Sequence, residues 1–195
     1  MGVEIRKLES VYQLTMVSTV DRPGLFAAVA GTLSSFGMNI LKAEAFANLR
    51  GLLLDTFTFA DPNRTLDLNP TEIDRLRTMT ERVISGKMDV RELLRNRPKP
   101  ALPARSARIH TRVSFDGDAS GTATLVEIVA EDRPGLLYDL ASAIAANGCN
   151  IEVVLIDTQA HKAIDVFYLT DGGKKLDPAK RGTLEEALTK ACEPK

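Results

Sequence analysis

The pattern of hydrophobic and polar positions changes from strand-like to helix-like twice along the chain, in the same order each time. Apolar residues alternate in "VYQLTMVSTV" and in "TATLVEIVA", which predicts two strands. Each strand leads into "DRPGL", and apolar residues then fall at helical spacing. These are Leu25, Phe26, Val29, Leu33 and Phe36 in the first copy, and Leu136, Leu137, Leu140 and Ile144 in the second. Each half therefore predicts a strand that turns directly into a helix.

The two copies form an internal repeat. "DRPGLFAAVAGTLSSFGMNI" begins at Asp21, and "DRPGLLYDLASAIAANGCNI" begins 111 residues later at Asp132. Two further apolar strands follow in each half and predict a hairpin, "MNILKAEAFA" with "LLLDTFTF" and "CNIEVVLIDT" with "AIDVFYLT". A second helix is predicted after each hairpin, beginning near Thr71 and near Asp177. Asp21 is predicted to cap the first helix of its unit.

This order of elements predicts an α+β fold of two ferredoxin-like βαββαβ units, with antiparallel sheets and helices on one face. We expect a first unit at 1–86, a helix and a linker rich in proline and arginine at 87–107, and a second unit at 108–195. The fourth strand of the first unit is predicted at 108–115, "RIHTRVSF", in contact with both units. The second unit then lacks a fourth strand, which predicts an open sheet edge. The turn "DGDASG" also allows 108–115 to form a hairpin with Thr122 to Ala130.

Composition narrows the class of protein without identifying a partner. The chain has 195 residues, of which 44% are hydrophobic and 26% charged, and a formal net charge of -1, as expected of a globular protein with no general attraction to nucleic acid. Its short apolar runs predict no membrane segment and a cytoplasmic location. Cys149 and Cys192 are expected to be reduced, and neither they nor His110 and His161 are spaced as a metal site. The linker "RNRPKPALPARSAR" is interpreted as a semi-extended spacer, with a phosphate-binding strip as the alternative.

The only chemistry that the sequence offers lies at the two Asp-Arg-Pro-Gly turns. No Walker loop, G-x-G-x-x-G, HExxH or G-x-S-x-G motif occurs, so we expect no catalytic residue, no metal ligand and no cofactor. A glycine at the start of a helix lets a ligand approach unpaired N–H groups, which favour a carboxylate, while an aspartate can pair with an ammonium group. Such a turn could hold an amino acid, or it could be no more than a well-formed connection between strand and helix.

Other polar residues near the turns leave two interpretations open. Asn39 and Asn150 either offer an amide to a ligand or complete the turn after the helix. Arg22 and Arg133 are most simply solvated. Asp55 and Asp165, in the middle of apolar strands, either face solvent or pair across an interface.

The spacing "D-R-P-G-L", eleven residues, then "G-x-N-I" resembles the ACT domain family of small-molecule sensing modules, and both halves carry it. "TLVEIVAEDRPGLLYDLASAIAANGCNI" and "AIDVFYLTDGGKKLD" are similar to the C-terminal tandem ACT region of the bacterial PII uridylyltransferase/uridylyl-removing enzymes. That resemblance implies a glutamine-sensing module that acts on parent catalytic domains or the PII signal protein. No Gly-Ser motif with paired aspartates and no His-Asp dipeptide occurs, so this chain alone is not expected to be an enzyme.

The resemblance also implies which residues bind the ligand. The implied set comprises both turns and the asparagine of each unit: Asp21, Arg22, Pro23, Gly24, Leu25, Phe26 and Asn39, and Asp132, Arg133, Pro134, Gly135, Leu136, Leu137 and Asn150. Two alternatives stay open at this point. One is an interaction protein resembling the glycine-cleavage system regulator, and the other is a purely structural pair of units that holds a homodimer together without a ligand.

Overall fold

The predicted α+β fold of two antiparallel sheets with helices is confirmed by a computed structural model, which describes residues 1–19, 23–47, 51–95, 109–159 and 161–193. The first sheet has the order β1-β2-β4-β3 and contains β1 (Gly2–Lys7), β2 (Tyr12–Ser18), β3 (Asn39–Ala47) and β4 (Leu53–Ala60). The second has the order β5-β6-β8-β7 and contains β5 (Arg112–Asp116), β6 (Thr124–Glu131), β7 (Cys149–Gln159) and β8 (Lys162–Asp171). The helices are α1 (Leu25–Ser35), α2 (Thr65–Leu68), α3 (Thr71–Ile84), α4 (Val90–Arg95), α5 (Leu136–Ala146) and α6 (Pro178–Cys192).

The outer strand of the first sheet comes from a different place than the sequence predicted. Within the stretch predicted at 108–115, the residues from Arg112 onward belong to β5, which pairs with β6 of the second sheet, where Val113 lies opposite Ile128. The predicted alternative, a hairpin of this stretch with 122–130, is therefore confirmed. The first sheet takes its outer strand from the N-terminus, where Ile5 lies opposite Leu14. The assignment of 108–115 to the first unit and the expected open edge of the second were therefore wrong. In each unit a short connection joins the outer strand to the next strand along the chain, so the two pair as an antiparallel hairpin. Each outer strand therefore precedes the rest of its unit in the sequence.

One face of each sheet is buried beneath the helices. Alternate residues of β4 and β8 point to that face, and Phe57, Phe59 and Phe167 are completely buried there. The Phe26 ring of α1 lies 4.8 Å from the Phe57 ring, between centroids. Burial of an aromatic side chain of this size stabilises a fold by about 2 to 3 kcal/mol. These contacts hold the start of α1 against the sheet and so fix the position of the first turn.

The two units lie side by side. Strand β3, at the edge of the first sheet, lies along β7 at the edge of the second, and α1 packs against α5. The contact between units that was predicted for 108–115 is thus made by these four elements. No helix in the described part of the chain is long and apolar enough to cross a membrane.

The starts of the helices differ in one respect from the prediction. Helix α1 begins after Gly24, which has φ 87, and α5 begins after Gly135, which has φ 85. The capping position is therefore glycine, and the prediction of Asp21 as the cap was wrong, although Asp21 itself lies outside the described residues. Asp177 does cap α6, because its side chain accepts a hydrogen bond from the Lys180 amide at 2.7 Å.

Candidate functional site

Two cavities lie between the units, and each is bounded by the turn of one unit and the strand start of the other. The first cavity lies between Pro23 to Ala27 and the start of β7 at Asn150 to Glu152. The second cavity lies between Asp132 to Tyr138 and the start of β3 at Met38 to Ile40. The cavities correspond to each other under the internal repeat. Neither can be built by one unit alone.

The turn residues of the two copies share one backbone geometry. Gly24 and Gly135 adopt a left-handed conformation that other L-residues rarely take, so glycine is required at these positions. Their carbonyl groups accept the first hydrogen bonds of α1 and α5, from the amides of Ala28 at 2.8 Å and Asp139 at 3.0 Å. The N–H groups of the first helical turn have no such partner within a helix, and in α5 the Leu136 amide donates instead to the carbonyl of Arg133, at 3.1 Å.

All the predicted turn residues that the structure describes line the cavities, Pro23 to Phe26 the first cavity and Asp132 to Leu137 the second. The side chains of Leu25, Phe26, Leu136 and Leu137 are also buried in the core and so anchor the turns. Asp21 and Arg22 lie outside the described residues.

Each of the two predicted asparagines lies beside the turn of the other unit. Asn39 lines the second cavity, beside the turn of the second unit, and Asn150 lines the first cavity. The sequence grouped each asparagine with the turn of its own unit. Because β3 and β7 run side by side, the start of each strand instead reaches the turn of its neighbour.

Arg133 is not solvated, contrary to the simplest expectation. Its Nη2 lies 2.7 Å from Oδ2 of Asp139, and the side chain is 20% exposed. The same nitrogen donates a 2.6 Å hydrogen bond to the carbonyl of Ala191 near the end of α6. Arg133 therefore ties the second turn to α5 and α6.

The second cavity contains a pair of acids, the buried Asp165 and the partly buried Asp132, of which the sequence did not assign Asp165 to the site. Asp165 is 2% exposed on β8, and its Oδ1 has no hydrogen-bond partner within the described part of the chain. Burial, together with the neighbouring Asp132, raises the pKa of Asp165 to about 8. Burial also raises the pKa of Asp132, against the lowering effects of the Arg133 amide and of the His161 and Arg133 charges. The second cavity therefore contains two carboxyl groups whose ionisation burial disfavours, together with Arg133, whose Nε has no hydrogen-bond partner among the described residues.

Asp55 occupies the equivalent position in the first cavity. It is 5% exposed, so both aspartates face the helices and not the solvent. The signal was present in the sequence, because Asp55 stands in phase with the core residues Phe57 and Phe59 along its strand. The expectation that these aspartates could face solvent was wrong.

Both cavities are small in this conformation. Their volumes are about 40 Å³ for the second and about 80 Å³ for the first. Such volumes hold roughly three to six water molecules.

Comparison with known proteins identifies the type of unit. Residues 124–190 match the model of the ACT domain family. The chain is 35% identical over 182 residues to the bifunctional uridylyltransferase/uridylyl-removing enzyme of Gluconobacter oxydans, covering 91% of this chain and 19% of the enzyme. It is 33% identical to the enzyme of the same name from Azospirillum brasilense, covering 98% of this chain and 21% of that one. The chain therefore spans about one fifth of the length of these relatives.

A solved structure supports the fold. The aspartate kinase from Synechocystis superposes with a TM-score of 0.50 at 14% sequence identity, over 92% of this chain and 26% of the kinase. At that identity the similarity concerns the fold alone.

Proposed function

We propose that this chain, which is built from two ACT-type units and resembles the C-terminal region of uridylyltransferases, is a regulatory module that binds an amino acid between its units, with glutamine as the first ligand to test. The observation that carries the proposal is that each cavity is lined by the turn of one unit and by the asparagine at the strand start of the other unit. Each turn faces the asparagine of the other unit, and a buried aspartate lies on the strand behind it. A bound molecule would therefore contact both units at once.

The two ends of an amino acid match the two sides of a cavity. The positive end of the helix dipole, at the start of α5, favours a carboxylate. Asp165 and the amide of Asn39 offer oxygen atoms to an ammonium group. A ligand held in this way would stabilise one arrangement of the units over another, by the difference in its affinity for the two arrangements.

The proposed output is control of catalytic domains. The relatives are bifunctional uridylyltransferase/uridylyl-removing enzymes, and this chain matches about one fifth of their length. We propose that the units report glutamine to such catalytic domains, or to the PII signal protein, through a change in their relative placement. The chain alone supplies binding and no catalysis under this proposal.

Isothermal titration calorimetry tests the proposed ligand. We expect L-glutamine, titrated into the full chain to millimolar concentrations, to release or absorb heat and to raise the thermal unfolding temperature. A panel of the other amino acids run in the same way establishes specificity. Binding of another amino acid in place of glutamine would correct the ligand, and silence across the whole panel would exclude amino-acid sensing.

Substitution of the turn glycines tests which cavity binds. We expect Gly24→Val and Gly135→Val, made separately, each to remove one calorimetric binding site, because a side chain at these positive φ angles distorts the turn that faces the ligand. The matched control is Gly173→Val. Gly173 also has a positive φ, of 75, but it lies outside both cavities.

All three variants should lose about 1 to 2 kcal/mol of unfolding free energy in urea titrations, from backbone strain. Only the turn variants should lose a site. Unchanged binding in both turn variants would show that the ligand binds away from the two turns, and a loss of stability in a protein that binds no ligand at all would favour two purely structural units.

A further inference from the structure

We propose that Asp165, with Asp132 beside it, receives the ammonium group of the ligand in the second cavity, and that this acid pair releases a proton when the ammonium arrives. The inference rests on the proposed function, since it concerns how an amino acid would be recognised. It goes beyond that function because it assigns one group of the ligand to one strand residue outside the turn motif.

Asp165 is buried at the second cavity with one carboxyl oxygen that lacks a partner within the described part of the chain. Its side chain is almost completely buried, lines the second cavity and leaves Oδ1 without a hydrogen bond among the described residues. A buried polar atom without a partner is unfavourable, and such atoms in a native fold require an explanation. A donor that enters the cavity would satisfy Oδ1.

The acidic lining of the second cavity indicates which kind of donor would bind there. Asp132 and Asp165 both line the cavity and repel each other as carboxylates, so the missing partner carries positive charge. A primary ammonium has three N–H donors, and the cavity offers oxygen atoms from Asp165, Asp132 and the Asn39 amide. A divalent metal ion fits less well, because hard cations take six or more oxygen ligands and no cluster of three metal-binding side chains exists among the described residues.

Among the described residues, no cation is paired with Oδ1 of Asp165. Arg133 lines the same cavity, but its Nη2 is held by Asp139 on α5 and by the Ala191 carbonyl on α6, while its Nε has no hydrogen-bond partner among the described residues. His161 acts electrostatically on Asp132 from the hairpin, and burial, with the charges of Asp165 and Asp139, raises the pKa of the Cys192 thiol on α6. Among these groups none donates a hydrogen bond to Oδ1 of Asp165.

The proton balance follows from this arrangement. Without ligand, Asp165 holds a proton at neutral pH, since burial favours its neutral form. When the ammonium binds, the carboxyl group loses that proton to solvent and becomes the carboxylate counter-ion, while the ammonium keeps all its protons. The net release should be roughly nine-tenths of a proton at pH 7 for a group that titrates near 8.

Calorimetry in two buffers with different heats of ionisation measures this release directly. The probes are L-glutamine and 4-carbamoylbutanoate, which is glutamine without its amino group. We expect Asp165→Asn in the full chain to weaken glutamine binding at the second cavity at least tenfold and to abolish the proton release. 4-Carbamoylbutanoate should bind that cavity weakly in wild-type protein, without proton release and without sensitivity to this substitution.

The matched control is Asp116→Asn, which makes the same small change at an exposed carboxylate on β5 and should bind glutamine like the wild type with the same proton release. Circular dichroism and thermal unfolding confirm that each variant is folded. Equal glutamine affinity and equal proton release in wild type and Asp165→Asn would overturn the assignment while leaving amino-acid sensing intact. Wild-type protein that binds no amino acid would overturn both.

Discussion

Replacement of Gly31 by alanine should lower the free energy of unfolding by about 1 to 3 kcal/mol and weaken amino-acid binding in both cavities. Gly31 lies in α1 at the point where this helix meets the second unit. A Cβ atom there would lie 2.7 Å from Cδ2 of Tyr138 on α5 and 2.6 Å from Cγ2 of Val90 on α4. Both distances are far below van der Waals contact, so the Tyr138 and Val90 side chains, or α1 itself, must shift to admit the methyl group.

The effect reaches the cavities because the same helices bound them. Helix α1 contributes Ala30 and Ser34 to the second cavity, and α5 contributes Ala141 and Ile144 to the first. A shift between α1 and α5 therefore changes the distance between each turn and the opposite strand start. Two cavities that depend on one contact between helices should both respond to one methyl group.

Gly182→Ala is the control for this prediction. Gly182 lies in α6, and a Cβ atom there would meet no atom within 4 Å. Alanine favours the helix over glycine by about 0.5 to 1 kcal/mol, so this variant should be more stable than the wild type. Urea unfolding of both variants, with glutamine calorimetry, measures the contrast. An equally stabilising effect of the two alanines would show that α1 and α5 do not pack as described.

The local elements could be predicted because their signals are local. Leu25, Val29 and Leu33 stand one helical turn apart, and Phe57 and Phe59 alternate along a strand, so each pattern reports which face is buried. The repeat then predicted two units of one fold. The role of Asn39 was less accessible, because its neighbour in space is the turn of the other unit, more than 90 residues away in sequence.

The outer strands show why topology was harder. The position next to β2 accepts any antiparallel strand, whether it precedes or follows the unit. "GVEIRK" and "RVSFD" both alternate, and their sequences do not state which sheet they join. Asp165 was missed for a different reason. Hydrophobicity alone does not predict that a charged residue in an apolar strand is buried, and only the structure shows the cavity that Asp165 lines.

Asp165→Asn should stabilise the ligand-free protein by an amount that grows as the pH rises from about 4 to about 8. The Asp165 carboxyl has a pKa of about 8 in the folded protein, against 3.8 for an ordinary aspartate. Between these values the folded state keeps a proton that the unfolded state has lost, so wild-type stability falls with rising pH. Above pH 8 Asp165 is ionised in both the folded and the unfolded protein, so the loss of wild-type stability no longer changes with pH. Asparagine cannot ionise and avoids this loss.

The expected difference is large enough to measure by thermal unfolding. At pH 9 the variant should unfold about 5 °C or more above the wild type, which corresponds to a stabilisation of roughly 2 kcal/mol or more for a chain of this size. At pH 4 the two should differ little, because Asp165 is then neutral in the folded protein and resembles asparagine. A difference between Asp165→Asn and wild type that stays constant over this range would mean that Asp165 is already ionised and paired in the folded protein, and its role as the acceptor for a ligand's ammonium would be lost with it.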